Sequence, residues 1–304
     1  SSFCLNGSQS VYQLCEELHN GTYVPKEPRK FTVWYPKLRE IVGISFRDRV
    51  FQRSLNDNLV YPIMSKHWIY DNAACQTGKG TDFARDRFKH HLWRHYVKYG
   101  TDGWIFSADI KGYYPNMQHW VVESCFNKAL PSWAMDMVLG ILHNQYPGDI
   151  GYNPGSQIIQ IAGISVLSPI DHFIKEELGV KAYIRYMDDL KLVHHDREYL
   201  GYCADAISEK LDEIGFWYND KKTKITPVDN KTRFLGFDFR LTDTGKIVML
   251  LNPETTKRMR TRVSKLAKIE SKGTKPSGTT ASAYEGWRNH AEKGDSRTLL
   301  ERTD

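Results

Sequence analysis

Apolar and polar positions along this chain change period in blocks, and each change marks a predicted element. Spacing of three and four over residues 10–19, 46–64 and 81–99 predicts helices, while alternation over 30–44 predicts a β-hairpin. A break at 100–103 separates this first part from the rest of the chain. Residues 104–108 then read as a buried strand, 118–129 and 133–143 as helices, and the segment through Gly155 as a glycine-rich loop. Helices over 163–178 and 200–214 flank two short strand-like runs, 182–185 and 190–193, which we read as apolar. Further strands run through 234–241. Pro253 starts a helical region interrupted at 271–280 by a stretch rich in Gly, Pro, Ser, Thr and Lys. No internal repeat is evident, and the mixture of elements is α+β.

At 304 residues the chain is long enough for two or three subdomains around a sizeable core. Its 42 Lys and Arg against 36 Asp and Glu give a formal charge of +6, a modest basic excess that suits a polyanionic partner. The distribution says more than the total. Arg85, Arg87, Lys89, His90, His91, Arg94, His95 and Lys98 crowd one predicted helix, interleaved with Trp93, Tyr96 and Tyr99. Lys257, Arg258, Arg260, Arg262, Lys265 and Lys268 crowd another. Five widely spaced cysteines without a C-x-x-C pair argue against a disulfide framework or a zinc site. No run of eighteen apolar residues and no amino-terminal signal pattern occurs, so a reduced, cytoplasmic protein is expected.

The segment Tyr186-Met187-Asp188-Asp189 lies between the two short strand-like runs. Adjacent aspartates repel each other and are poor strand formers, so at a hairpin tip they gain most from a bound cation. Magnesium takes hard oxygen ligands, and a pair of ions about 4 Å apart can clamp both the attacking and the leaving oxygen of a phosphoryl transfer. Asp109, at the end of the strand 104–108 and before the turn residues Gly112 and Pro115, supplies a third carboxylate. Two magnesium ions are therefore the expected cofactors, with manganese an acceptable substitute.

These segments resemble, in order, the motifs of bacterial reverse transcriptases related to group II intron polymerases, the group that includes retrons and diversity-generating retroelements. Residues 39–52 look like the first fingers motif and 74–81 like the second; 107–115 match motif A of the palm, 186–189 motif C and 219–223 motif D. Phe234-Leu235-Gly236-Phe237 matches the primer grip, and 284–291 resemble the thumb. Seven ordered matches are specific where one would be weak. The resemblance implies a right-hand polymerase with fingers over 1–102, a palm of antiparallel sheet backed by helices over 103–250, and a helical thumb over 251–304.

It also implies roles. Asp109 and Asp188 would be the principal metal ligands with Asp189 beside them, and the backbone from Ile110 to Tyr113 would lie along an incoming triphosphate. Ile110 joins the metal set and Tyr113 the nucleotide set. Tyr114 stands where the family keeps an aromatic ring that excludes a 2′-hydroxyl. Arg39 would grip the triphosphate, with Lys37 a further candidate. Lys222 would donate a proton to the leaving pyrophosphate. Trp287 and His290 would steady the thumb. The implied partners are an RNA template, a DNA or RNA primer, deoxynucleoside triphosphates and a small basic accessory protein.

The chain departs from the intron pattern Pro-Gln-Gly-Gly in motif B, where Asn153-Pro154-Gly155-Ser156-Gln157 places Pro154 at the glutamine position. Gly155 is kept, and Gln160 falls where the retroelement branch has a glutamine. Gln157 could take over the role. Without the glutamine, the nascent pair is expected to be checked less tightly, and misincorporation should exceed that of a glutamine-bearing relative. Equal error rates in a side-by-side fidelity assay would contradict this. Two other functions fit the same residues: a phage-defence polymerase making untemplated or specialised DNA, and an inactive RNA-binding relative. A PilZ-like or cyclase palm could carry paired acids but not the flanking matches.

Overall fold

The computed structural model describes residues 6–34, 38–153 and 155–296. Its centre is a four-stranded antiparallel sheet in the order β4-β5-β3-β6, formed by β3 (Trp104–Asp109), β4 (Tyr183–Tyr186), β5 (Asp189–His194) and β6 (Lys224–Pro227). Side chains alternate between its two faces. Phe106, Ala108, Tyr183, Leu190 and Leu192 enter one core; Ile105, Ile184 and Val193 enter another. Both faces are thus covered, which is why the short strands read as near-continuous apolar runs.

The first face is backed by α5 (His119–Asn127), α6 (Ser132–Gln145), α7 (Gln157–Ser165) and α9 (Arg197–Asp212), whose buried side chains include Phe126, Val138, Ile161 and Ile207. The second face packs against α4 (Thr81–Tyr99) and a three-stranded antiparallel sheet of β7 (Thr232–Phe234), β8 (Phe237–Leu241) and β9 (Ile247–Leu251). Phe88 of α4 meets Phe234 and Phe239 edge-on at 5.4 and 5.1 Å. The remaining elements are α1 (Gly7–His19), the pair β1 (Arg29–Val33) and β2 (Arg39–Gly43), α2 (Phe46–Leu55), α3 (Tyr61–Met64), α8 (Ser168–His172), and two carboxy-terminal helices, α10 (Pro253–Glu270) and α11 (Thr279–Ala291).

Several boundaries follow from caps. Ser45 opens α2 by accepting from the Asp48 amide at 3.2 Å; Asp196 opens α9 by accepting from Glu198 and Tyr199; Asn252 caps α10, with Pro253 following it. Other elements differ from expectation. The helix expected over 46–64 is interrupted by a wide π turn at Asn56–Val60, next to Pro62, and the helix expected from 163 begins already at Gln157 and widens at Phe173–Glu177. Among the described residues, this run of 157–177 is the one helical segment long and apolar enough to cross a membrane, and most of it is buried inside the protein. Strands β6 and β9 were not expected.

The helix α4 corrects the reading of its basic residues. Arg85, His91 and His95 are buried: Arg85 pairs with Asp82, and His91 lies 3.3 Å from Asp71. Arg87 donates to Asp71 at 2.7 Å, and Lys175 donates to the same carboxylate at 2.8 Å. The Asp71 carbonyl accepts from the Arg185 amide, so one residue joins α4, the turn after α8, and β4. Burial opposes the Asp71 charge, yet the close His91 ring and the hydrogen bonds from Arg87 and Lys175 outweigh it and hold the carboxyl well below its usual range. A depressed carboxylate adds stability in full above its unfolded pKa, near ~4, and loses it as pH falls through the folded value. Asp71→Asn is accordingly expected to lower the melting temperature at neutral pH and to flatten the acid limb of the stability curve. An unchanged acid limb in thermal melts from pH 2 to 7 would contradict this.

Candidate active site

Strand register brings the acids together. Asp109, the last residue of β3, lies directly opposite Asp189, the first of β5, and Tyr186 pairs with Asp189 across a two-residue turn made of Met187 and Asp188. The Ile110 amide donates to the Asp188 carbonyl at 3.0 Å, extending the ladder past the strand end. Directly opposed residues have Cβ atoms about 5 Å apart, so Asp109 and Asp189 are near neighbours although far apart along the chain. Met187 holds a left-handed φ of 55°, uncommon for a residue with a Cβ.

A buried arginine braces that turn. Arg185 and Asp171 are both fully buried and joined in a fork: Nε to Oδ1 at 2.7 Å and Nη2 to Oδ2 at 2.6 Å. The guanidinium also donates to the Met187 carbonyl at 3.0 Å and the Ile164 carbonyl at 2.8 Å, while Tyr183 donates to Asp171 at 2.6 Å. We read Arg185 from sequence as part of an apolar flank; it is instead the side chain that fixes the hairpin tip. A charge within an otherwise apolar run was the available signal.

The carboxylates themselves are held by lysines. Lys222 Nζ lies 2.9 and 2.8 Å from the two oxygens of Asp109, which also accepts from Asn219 Nδ2 at 3.2 Å. Lys191 Nζ bonds to Asp189 Oδ1. Among the described residues no three His, Cys, Asp or Glu side chains gather as a metal-holding group. Strand pairing thus brings the three positions near one another, while two of the three acids turn toward ammonium groups. Burial pushes the Asp188 carboxyl above its usual range, and the charges of Asp109 and Asp189 push it further. Burial likewise raises Asp189, opposed by Lys191. Hard oxygen donors whose mutual repulsion a cation would relieve are of the kind that magnesium takes.

The other expected site residues divide. Tyr114 stands beside the hairpin, its ring against Gly163 of α7, where a Cβ would fall 2.9 Å from the phenol oxygen and 3.4 Å from the Met187 methyl. Only glycine leaves that ring its place. Tyr113 instead points into the core, donating to the Gly163 carbonyl at 2.5 Å and packing on Phe216, so its side chain is structural. The Ile110 side chain is also buried. Gly155 lies against β2, where a Cβ would come 2.5 Å from the Val42 carbonyl, and Ser156 anchors the same loop through Gln52 at 2.8 Å. Gln160 lines a polar cavity of about 480 Å³ with Arg53, Asp57, Cys75 and Gln157. Arg39 begins β2, opposite Val33. Lys37 and Pro154 lie outside the described residues.

Phe234 and Phe237 are fully buried and pair across the β7–β8 turn, so these rings are core rather than contact surface. Leu235 and Gly236 form the turn with φ of 47° and 88°, a pattern suited to a two-residue hairpin. Arg85 reaches the Leu235 carbonyl at 3.4 Å, and a Cβ on Gly236 would lie 3.2 Å from His290 Nε2. His290 also packs on Phe237 at 4.9 Å, and Trp287 is buried in the same core, docking α11 there.

Solved structures that share this fold include telomerases. Telomerase from Candida albicans, solved in complex with a TWJ fragment of telomeric RNA, matches with a TM-score of 0.57 at 13% identity, over 76% of this chain and 46% of that one. Telomerase from Candida tropicalis truncated from its C-terminal domain, solved without ligand, matches with 0.52 at 14% identity, over 73% and 54%. The chain thus spans about half the length of these telomerases. At such identity the likeness is one of fold and does not single out the intron or retroelement branch. No protein-family model matches the sequence, and no curated protein matches it.

Proposed function

We propose that this protein is an RNA-directed DNA polymerase that extends a primer with deoxynucleoside triphosphates. The observation that carries this reading is the register that sets Asp109 against Asp189 with Asp188 at the intervening turn, within a fold shared with telomerase. In that reading residues 1–102 act as fingers, 103–250 as palm and 251–304 as thumb. Asp109 and Asp188 would hold magnesium, which when bound would lower the pKa of the primer 3′-hydroxyl and neutralise charge on the triphosphate.

The protein's own groups supply positioning and protons. Arg185 fixes the height of Asp188 through the Met187 carbonyl. Lys222 lies within hydrogen-bond reach of Asp109 and is 59% exposed, so it can leave the acid and give a proton to pyrophosphate. The Leu235–Gly236 turn offers backbone to the primer, and the exposed basic face of α10 suits a duplex backbone. The ordered motif resemblance supports placing the enzyme in a bacterial or phage retroelement.

The test is primer extension on an RNA template with a DNA primer, magnesium or manganese, and all four deoxynucleotides. Products complementary to the template are expected; products independent of the template would favour the untemplated polymerase, and none at all would reject both. Tyr114→Ala should raise ribonucleotide incorporation at least tenfold, because the ring that would meet the 2′-hydroxyl is gone. Unchanged discrimination in single-nucleotide insertion would remove Tyr114 from that role.

A further inference from the structure

Lys191 is a buried lysine in a buried strand. It sits two residues after Asp189 on β5, between Leu190 and Leu192, and is 4% exposed. Period-two alternation places it on the face of Val193 and Ile184, toward the three-stranded sheet. Its ammonium makes two contacts there: a hydrogen bond to Asp189 Oδ1, and a seat over the ring of Phe234, 5.3 Å from the centroid. Phe234 is the residue just before the Leu235–Gly236 turn. One side chain therefore joins the Asp-Asp hairpin to the turn proposed to meet the primer.

The two lysines at this site differ in what they can give up. Lys222 is mostly exposed, and an exposed ion pair is screened and contributes little, so Asp109 can exchange it for another cation. Lys191 has no water to move into. Releasing Asp189 would leave a buried ammonium unpaired, which is strongly unfavourable. Within the Asp-Asp pair, Asp189 is the one that β-pairing places at a strand position, while Asp188 lies in the turn.

Resting on the polymerase reading, we propose that Lys191 is a positioning residue that holds Asp189 and ties the Asp-Asp hairpin to the primer-side turn, leaving Asp109 and Asp188 to face the metal ions. Asp189 then serves as the counter-charge of Lys191, and the site works with two metal-facing carboxylates.

The test is a double-substitution cycle of Lys191→Met, Asp189→Asn and both together, with Asp188→Asn alongside. Each is followed by metal-free thermal unfolding, by Mn²⁺ titration with electron paramagnetic resonance, and by primer extension. Each single change should lower the unfolding midpoint, and the double change should recover most of that loss because no unpaired charge remains. The double variant should bind Mn²⁺ within about threefold of wild type but should not regain wild-type primer extension, because the tie to Phe234 is still missing. Lys191→Met alone should weaken primer affinity and lower kcat at least tenfold, with KM for the nucleotide little changed. The proposal is overturned if the double variant loses Mn²⁺ as fully as Asp188→Asn, or if Lys191→Met matches wild type in midpoint, primer affinity and kcat. Wild-type protein that extends no primer would refute the polymerase reading separately, and the melting and Mn²⁺ results would still decide the pairing.

Discussion

Asp188→Asn is expected to lower primer extension by three orders of magnitude or more while leaving the fold and RNA affinity close to wild type. The side chain sits at the tip of a two-residue turn, and its backbone carbonyl, not its carboxylate, makes the link to Ile110. Removing the negative charge therefore breaks no scaffold bond. It also relieves repulsion from Asp109 and Asp189, so the metal-free melting temperature should stay level or rise slightly. What is lost is a ligand to an ion that supplies several kcal/mol of transition-state stabilisation, and about 4 kcal/mol corresponds to roughly a thousandfold in rate. Rapid-quench extension and RNA binding on the same preparation separate the two effects. Extension within tenfold of wild type would remove Asp188 from the chemistry.

The largest stability effect is expected at Arg185. Arg185→Met leaves the Asp171 carboxylate buried with only Tyr183 as a partner and strips donors from the Ile164 and Met187 carbonyls. Removing one member of a buried pair costs about 3–5 kcal/mol, a large part of the stability of a typical domain. Asp171→Asn combined with Arg185→Met should recover part of the melting temperature, since no bare charge remains. It should not recover activity, because the brace on Met187 is still missing. Full recovery of extension in the double variant would show that Arg185 contributes only charge balance.

The central strands and several helices are legible in the sequence. The strands that carry the acids are short apolar runs bounded by aspartates, and a sheet buried on both faces writes that pattern directly into sequence. The helices α1, α4 and α9 likewise follow from their apolar spacing, and α9 also from its Asp196 cap. What stayed hidden depends on tertiary pairing. Arg185 passes for the end of an apolar run because its partner, Asp171, lies fourteen positions away on another element. Lys191 has the same disguise. The basic residues of α4 look alike along the chain, yet the helix is buried on one side, so Arg85 and His91 turn inward while Lys89 and Arg94 do not. Phe234 and Phe237 were expected to meet a primer, but a tight turn between paired strands sends both rings to the core and leaves the backbone of Leu235 and Gly236 at the tip.

The most direct measurement is a structure of the protein with an RNA template, a DNA primer, an unreactive deoxynucleotide analogue and magnesium. Ions are expected about 2.1 Å from carboxylate oxygens of Asp109 and Asp188, with Lys222 moved off Asp109 and the nucleotide sugar against Tyr114. Nucleotide bound with no ion between residues 109 and 188, or ions held by other side chains, would contradict this.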